Sequence, residues 1–147
     1  MAFLPSKPLF GDVTVRDPTA PSIVAKGVRA GAAIKQAAAL KINKYKEFVE
    51  DHASDFVPLA METFGRMHPA YRNFLKKLTV AAVTNCRIPD TKSARTKYYT
   101  RLVQETSVCL QRGNAHTLLV AAALYRKRAA KTARHRRGNC EVDHAPC

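Results

Sequence analysis

Seven positive charges crowd into twelve residues near the end of this 147-residue chain: Arg126, Lys127, Arg128, Lys131, Arg134, Arg136 and Arg137. On a helix, Lys127, Lys131 and Arg134 follow one face while Tyr125 and Ala129 follow another. Such a row can lie along a phosphate backbone, each neutralised phosphate releasing a counterion. The same run also suits a nuclear-localisation patch or a merely solvated face, and phosphate contact is the preferred reading. Tyr98 and Tyr99 stand between Arg95, Lys97 and Arg101, where a ring among cations can stack on a base. Helical phase assigns Tyr99 to the core and leaves Tyr98 as the stacking candidate. Cys140, His144 and Cys147, with His135 as a fourth, are acceptable zinc-ligand types. Their spacing fits no standard finger, and residues 138–147 read as a disordered tail.

The charge is lopsided. There are 25 Lys/Arg against 11 Asp/Glu, a net charge of +14. Up to Gly65 the chain holds 8 basic and 7 acidic residues, and beyond it 17 basic and 4 acidic. A surplus confined to one half points to a polyanionic partner, DNA or RNA. No apolar run reaches the length of a membrane span, and the first ten residues lack the basic and apolar regions of a signal peptide. A membrane or secreted protein is therefore not expected, and a nuclear or cytoplasmic one is. Four scattered cysteines make no disulfide framework, and Cys86 and Cys109 read as small apolar fillers in helices.

These residues need a frame. Asp12-Val13-Thr14-Val15 alternates like a short strand and is closed by Pro18 and Pro21. From Ser22 to about His52 an alanine-rich, roughly helical pattern reads as one long helix, which Gly27 and Gly31 weaken. Phe56–Thr63 is apolar on both sides, as in a buried strand, with Pro58 suiting its start or an edge. Pro69 opens a helix to about Thr84 with Tyr71, Phe74, Leu75, Leu78 and Ala82 inward. A second helix runs from about Ser93 to Gln111 with Tyr99, Leu102, Val103, Thr106 and Leu110 on one face. Gly113 suits a helix stop and Asn114 the cap of a last helix, with Leu118, Ala121, Ala122 and Tyr125 inward. The fold class is a small α/β part, two short strands and a long helix, followed by an all-helical basic extension. The chain is mostly α overall.

Asp12-Val13-Thr14-Val15, then Lys41-Ile42-Asn43-Lys44-Tyr45, then Phe56 to Gly65 occur in a meaningful order. Together they resemble the restriction-enzyme-like endonuclease domain of site-specific non-LTR retrotransposons. That domain follows the reverse transcriptase and is itself similar to the PD-(D/E)xK nucleases. The resemblance covers about residues 11–78. It implies that Asp12 is a metal-binding carboxylate for Mg²⁺, since phosphodiester cleavage needs acids to hold the cation and a lysine near the attacking water. It implies that Lys41 is that lysine, moved from the strand, where Thr14 stands in its place, to the following helix. Lys44 and Tyr45 join it on one helical face.

The departure from the family decides the expected activity. The pattern places a Pro-Asp strand ahead of Asp12, and Met1–Gly11 holds no Asp or Glu. Pro89-Asp90 comes too late in the order. The chain thus reads as an N-terminally truncated piece of a retrotransposon polyprotein whose Asp12, Lys41, Lys44 and Tyr45 are vestigial. Its Mg²⁺ site is incomplete, so nucleic-acid binding without cleavage is expected. The domains on this reading are an irregular start over 1–11, the endonuclease remnant over 12–65, the basic helical extension over 66–137, and the tail. The alternative is a small basic ribonucleoprotein module unrelated to nucleases.

Overall fold

The computed structural model describes residues 7–25 and 30–140, with side chains described as far as Thr132. Two strands, β1 (Leu9–Arg16) and β2 (Asp55–Glu62), pair in parallel, with Asp12 opposite Pro58 and Arg16 opposite Glu62. This is the pairing expected of the two apolar runs, although β1 begins at Leu9 rather than Asp12. A parallel pair requires a crossover, and the helices between the strands supply it.

That crossover is not one helix. It divides into α1 (Pro21–Val24), α2 (Ala32–Lys44) and α3 (Lys46–Asp51). Gly31 sits at the N-cap of α2 with φ 86°, a left-handed conformation that a residue with a Cβ rarely adopts, and it sets where α2 begins. Tyr45 then breaks the ladder between α2 and α3 with ψ near zero. Alternate residues of β2 serve the two faces of the sheet. Ala60 is fully buried against Ile34 and Ala38 of α2, while Met61 packs on the opposite side. Pro58 lies inside β2 because its missing N–H would point away from β1. Asp55 and Thr63 donate to Pro8 and Arg16, so the odd-numbered N–H groups of β2 serve the ladder.

After β2 the chain turns at Gly65 (φ 91°) and folds back along the outer edge of β2, where His68 N–H donates to the Ala60 carbonyl. His68 then caps α4 (Pro69–Thr84), its Nδ1 accepting from Ala70 N–H at 3.2 Å, and Pro69 occupies the first turn. Leu75 is buried with Met61, Met67 and Leu110, and Tyr71, Phe74, Tyr99, Leu102 and Val103 pack around them. Leu78 lies on the rim of that face and is exposed rather than inward.

The last helix, α5, runs unbroken from Lys92 to Cys140. Thr91 starts it, its hydroxyl accepting from Ala94 N–H. Gly113 does not stop it. Only a left-handed glycine ends a helix in the expected way, and Gly113 is not among the positive-φ residues. Its cost of about 1 kcal/mol relative to alanine is small beside the good helix formers that surround it.

The chain forms two compact units, residues 1–110 and 111–147. In the second, every described side chain is exposed except the half-buried Asn114, so Leu118, Ala121, Ala122 and Tyr125 are not inward. Their spacing makes an apolar stripe, and its side chains are exposed. Cys86 and Cys109 are exposed as well, not fillers; Cys86 lies past the end of α4 with φ 54°, outside any core. The fold is mostly α with a small α/β part.

Candidate functional site

The stripe that seats α2 on the sheet continues into the site. Ile34 and Ala38 pack on Ala60, and Lys41 and Tyr45 follow at helical spacing, reaching β1. On β1 the alternation turns Asp12 toward the same side. The Lys41 ammonium donates to Asp12 Oδ2 at 2.6 Å, with each side chain about a quarter exposed (26% and 25%). The Tyr45 hydroxyl also favours the charged form of this carboxylate. These two groups, Lys41 first, hold the Asp12 carboxyl below the usual carboxylate range. In return, Asp12 raises Lys41 above the ordinary lysine value. Lys44 is exposed, and its ammonium lies 5.0 Å from the Tyr45 ring centroid. Of the four residues singled out, three converge and Lys44 stands outside.

Aromatic rings surround that trio. Tyr45 packs on Phe56 with ring centroids 4.9 Å apart, and Phe10 meets Phe48 edge-on at 5.1 Å. Phe48 stacks on His52 at 4.2 Å. Phe10, Gly11, Asp12, Tyr45, Phe48 and Phe56 line an open depression of about 270 Å³. It falls just short of the several hundred cubic ångströms of an ordinary ligand pocket. The sequence reading overlooked Phe10, Phe48 and Phe56. Tyr45, Phe48 and His52, at spacings of three and four, formed a signal that could have exposed part of this cluster.

The donor set does not suit Mg²⁺. That ion wants more than one anionic anchor and a set of waters, whereas one carboxylate lines the depression and it already accepts from an ammonium. The other acids of the sheet, Asp55 and Glu62, lie three register positions before and four beyond Asp12, roughly 10 and 13 Å along the strands at ordinary rise. Glu62 is buried and pairs with Arg66 at 3.3 Å. Asp90 pairs with Arg95 in the approach to α5. Among the described residues, no three His, Cys, Asp or Glu side chains gather to hold a metal ion.

The second candidate surface is α5. Arg126, Lys127, Arg128 and Lys131 are exposed on it, as are Leu124 and Tyr125. Arg134, Arg136 and Arg137 continue the same helix, but their side chains, with His135 and Cys140, lie outside the described ones, and His144 and Cys147 lie outside the described residues. Tyr98 and Tyr99 are both half-buried, so Tyr98 offers only part of its ring for stacking. Among the described residues no helix is long and apolar enough to cross a membrane. No protein-family model, curated protein or solved structure matches the chain.

Proposed function

We propose that this chain binds nucleic acid as part of a non-LTR retrotransposon polyprotein, carrying an endonuclease-like βαβ unit that does not cleave by itself. The observation that carries the binding is the row Arg126, Lys127, Arg128 and Lys131, exposed on one helix in a stretch where Glu105 is the only acid between Thr91 and Cys140. A row of unpaired cations binds phosphate without sequence preference, so DNA and RNA are both partners, and the same row suits a nuclear address. The kinship with the endonuclease rests on the order of the Asp12 strand, the Lys41–Tyr45 helix and the Phe56 strand. The absence of cleavage rests on Asp12, the one carboxylate lining the depression, where two or more would be needed to hold the cation.

Titrating the full chain with duplex and single-stranded oligonucleotides over a range of salt tests the binding. Affinity is expected to fall steeply with salt on both. A flat salt dependence would reject phosphate contact. Incubation with plasmid and Mg²⁺ is expected to give no nicking, and nicking that disappears in Asp12→Ala would reject the inactive reading. A nuclease-unrelated ribonucleoprotein module would make the Asp12–Lys41 pair a structural strap alone. The reading frame upstream of the start codon separates the two, since a reverse transcriptase followed by a Pro-Asp strand belongs to the retrotransposon.

A further inference from the structure

The two edges of the sheet are treated differently. The outer edge of β2 is met by the returning chain, through Met67 and His68. The outer edge of β1 has no strand on it among the described residues. Asp55 N–H donates to the Pro8 carbonyl at 2.8 Å and Thr63 N–H to the Arg16 carbonyl at 2.9 Å. In a parallel ladder this turns the even-numbered backbone groups of β1 toward β2. The N–H and C=O groups of Leu9, Gly11, Val13 and Val15 therefore point to the open edge. Leu9–Val15 carries no lysine, no proline and no bulge, and its one charge, Asp12, is paired with Lys41 of its own chain. Leu9, Val13 and Val15 are 43%, 60% and 41% exposed beside those groups.

We propose that β1 pairs antiparallel with β1 of a second copy of this chain, about a two-fold axis through Asp12. One register gives every outward backbone group of Leu9–Val15 a partner. In it Leu9 faces Val15 of the second copy, Gly11 faces its Val13, and the two Asp12 residues face each other. Like charges directly opposite are unfavourable on a sheet, but here each carboxylate brings its own Lys41 ammonium at 2.6 Å. An ammonium has three donors and a carboxylate about four acceptor positions, so the two pairs close into a ring of alternating charge. A strand from an unrelated protein brings no such lysine. Charge complementarity therefore selects the second copy. Gly11 leaves room for the facing Val13. Each α2 covers its own two strands, and two strand spacings match one helix diameter, so the two helices fit side by side. The result is a four-stranded sheet in place of a two-stranded one, which is marginal alone.

The net charge of +14 on each chain opposes association, so screening by salt is expected to strengthen the dimer while it weakens nucleic-acid binding. The two opposite salt responses let either proposal fail without the other. The test is sedimentation velocity on the full chain, free of nucleic acid and under reducing conditions, over concentration and salt. Amide exchange at Leu9, Gly11, Val13 and Val15 is read alongside. A concentration-dependent dimer that protects those four amides is expected. Val13→Pro removes one outward N–H from each copy and no bond to β2, and is expected to raise the dissociation constant about tenfold or more. Should that variant lose its circular dichroism, Val15→Lys at the exposed edge decides instead, with the same loss of dimer expected. A monomer at every concentration and salt would overturn the proposal. So would a dimer in which the four amides exchange freely, because its contact would then lie elsewhere, for instance on the exposed apolar stripe of α5.

Discussion

The sheet unit and the far half of α5 handle charge in opposite ways. In the first unit, Asp12 is matched by Lys41, Glu62 by Arg66, Asp90 by Arg95 and Glu105 by Arg101, so each of these acids has a local cation. Beyond Leu110, Arg126, Lys127, Arg128 and Lys131 are exposed, and none of them is in a salt bridge of the described residues. The apolar residues divide likewise. Met61, Met67, Leu75 and Leu110 are buried together, whereas Leu118 and Leu119 are each 71% exposed. The contrast teaches that one part of the chain buries its apolar residues and matches several acids within itself, while the other leaves both its apolar residues and its cations exposed.

Deleting residues 126–147 is the strongest way to break that contrast. Nucleic-acid affinity is expected to collapse at moderate salt, and the slope of log K against log salt to flatten by roughly 0.7–0.9 per lost phosphate contact. The melting transition of the sheet unit is expected to stay in place. Binding measured across a salt series, with a thermal melt, checks both outcomes. A retained slope would move the binding surface into the first unit. Next in size is a matched pair of leucine truncations. Leu75→Ala, at a site 4% exposed, is expected to cost about 2–5 kcal/mol in a denaturant titration. Leu118→Ala, at a site 71% exposed, is expected to stay within about 0.5 kcal/mol. Equal costs would mean that the α5 stripe is covered in solution.

Periodicity found the buried residues of α4 and the first part of α5 but not the breaks in the crossover, and it misread the second unit for one physical reason. A hydrophobic pattern reports which side of an element is apolar, not whether anything packs on it. At Tyr71 and Leu75 the pattern and the packing agree because Met61 of β2 and Leu110 of α5 are there to receive them. At Leu118, Ala121, Ala122 and Tyr125 the same pattern is present and the side chains are exposed. Glycine was ambiguous for a similar reason. Gly31 ends up left-handed and splits the crossover, whereas Gly113 stays helical, and nothing local to either residue tells the two outcomes apart. The approach of Lys41 to Asp12 across 29 residues followed from the resemblance, not from the periodicity. The aromatic lining of the depression comes from three separate elements, so no single window of sequence contains it.

Two smaller effects sharpen the picture of the self-contained unit. Gly31→Ala forces a Cβ onto a backbone with φ 86°, and about 1 kcal/mol of stability is expected to be lost through strain. Space is not the obstacle, since the nearest side-chain atoms, those of Arg66, would lie at 3.5 Å. His68 adds a pH dependence. Burial first, then the charge of Lys35, lowers its pKa below the ordinary histidine value. The unfolded chain therefore takes up the proton before the folded one does. Stability is expected to decline as pH falls from the ordinary histidine range to the lowered value, and to hold above it. His68→Asn keeps a capping acceptor without the titration, so denaturant midpoints of the two proteins should diverge only on the acidic side.

The smallest effect is at the Asp12–Lys41 pair. Asp12 is stabilised in its charged form by Lys41 and then by Tyr45, so its contribution to the fold is present at neutral pH and lost as pH falls through its lowered value. Lys41 mirrors it at the other end of the scale: its contribution is present at neutral pH and lost as pH rises through a raised value. Replacing Lys41 by Met removes the dominant donor and keeps the stem that lies along the sheet. A carbon-detected titration of the Asp12 carboxyl should then move upward toward the ordinary carboxylate value, without fully reaching it while Tyr45 remains. Tyr45→Phe alone should move it less. Nucleic-acid affinity of both variants should match the parent chain, because the contacts proposed for phosphate lie on α5. A Lys41→Met variant that kept the Asp12 titration in place would mean the pair is not formed in solution, and one that lost binding would return Lys41 to the phosphate surface.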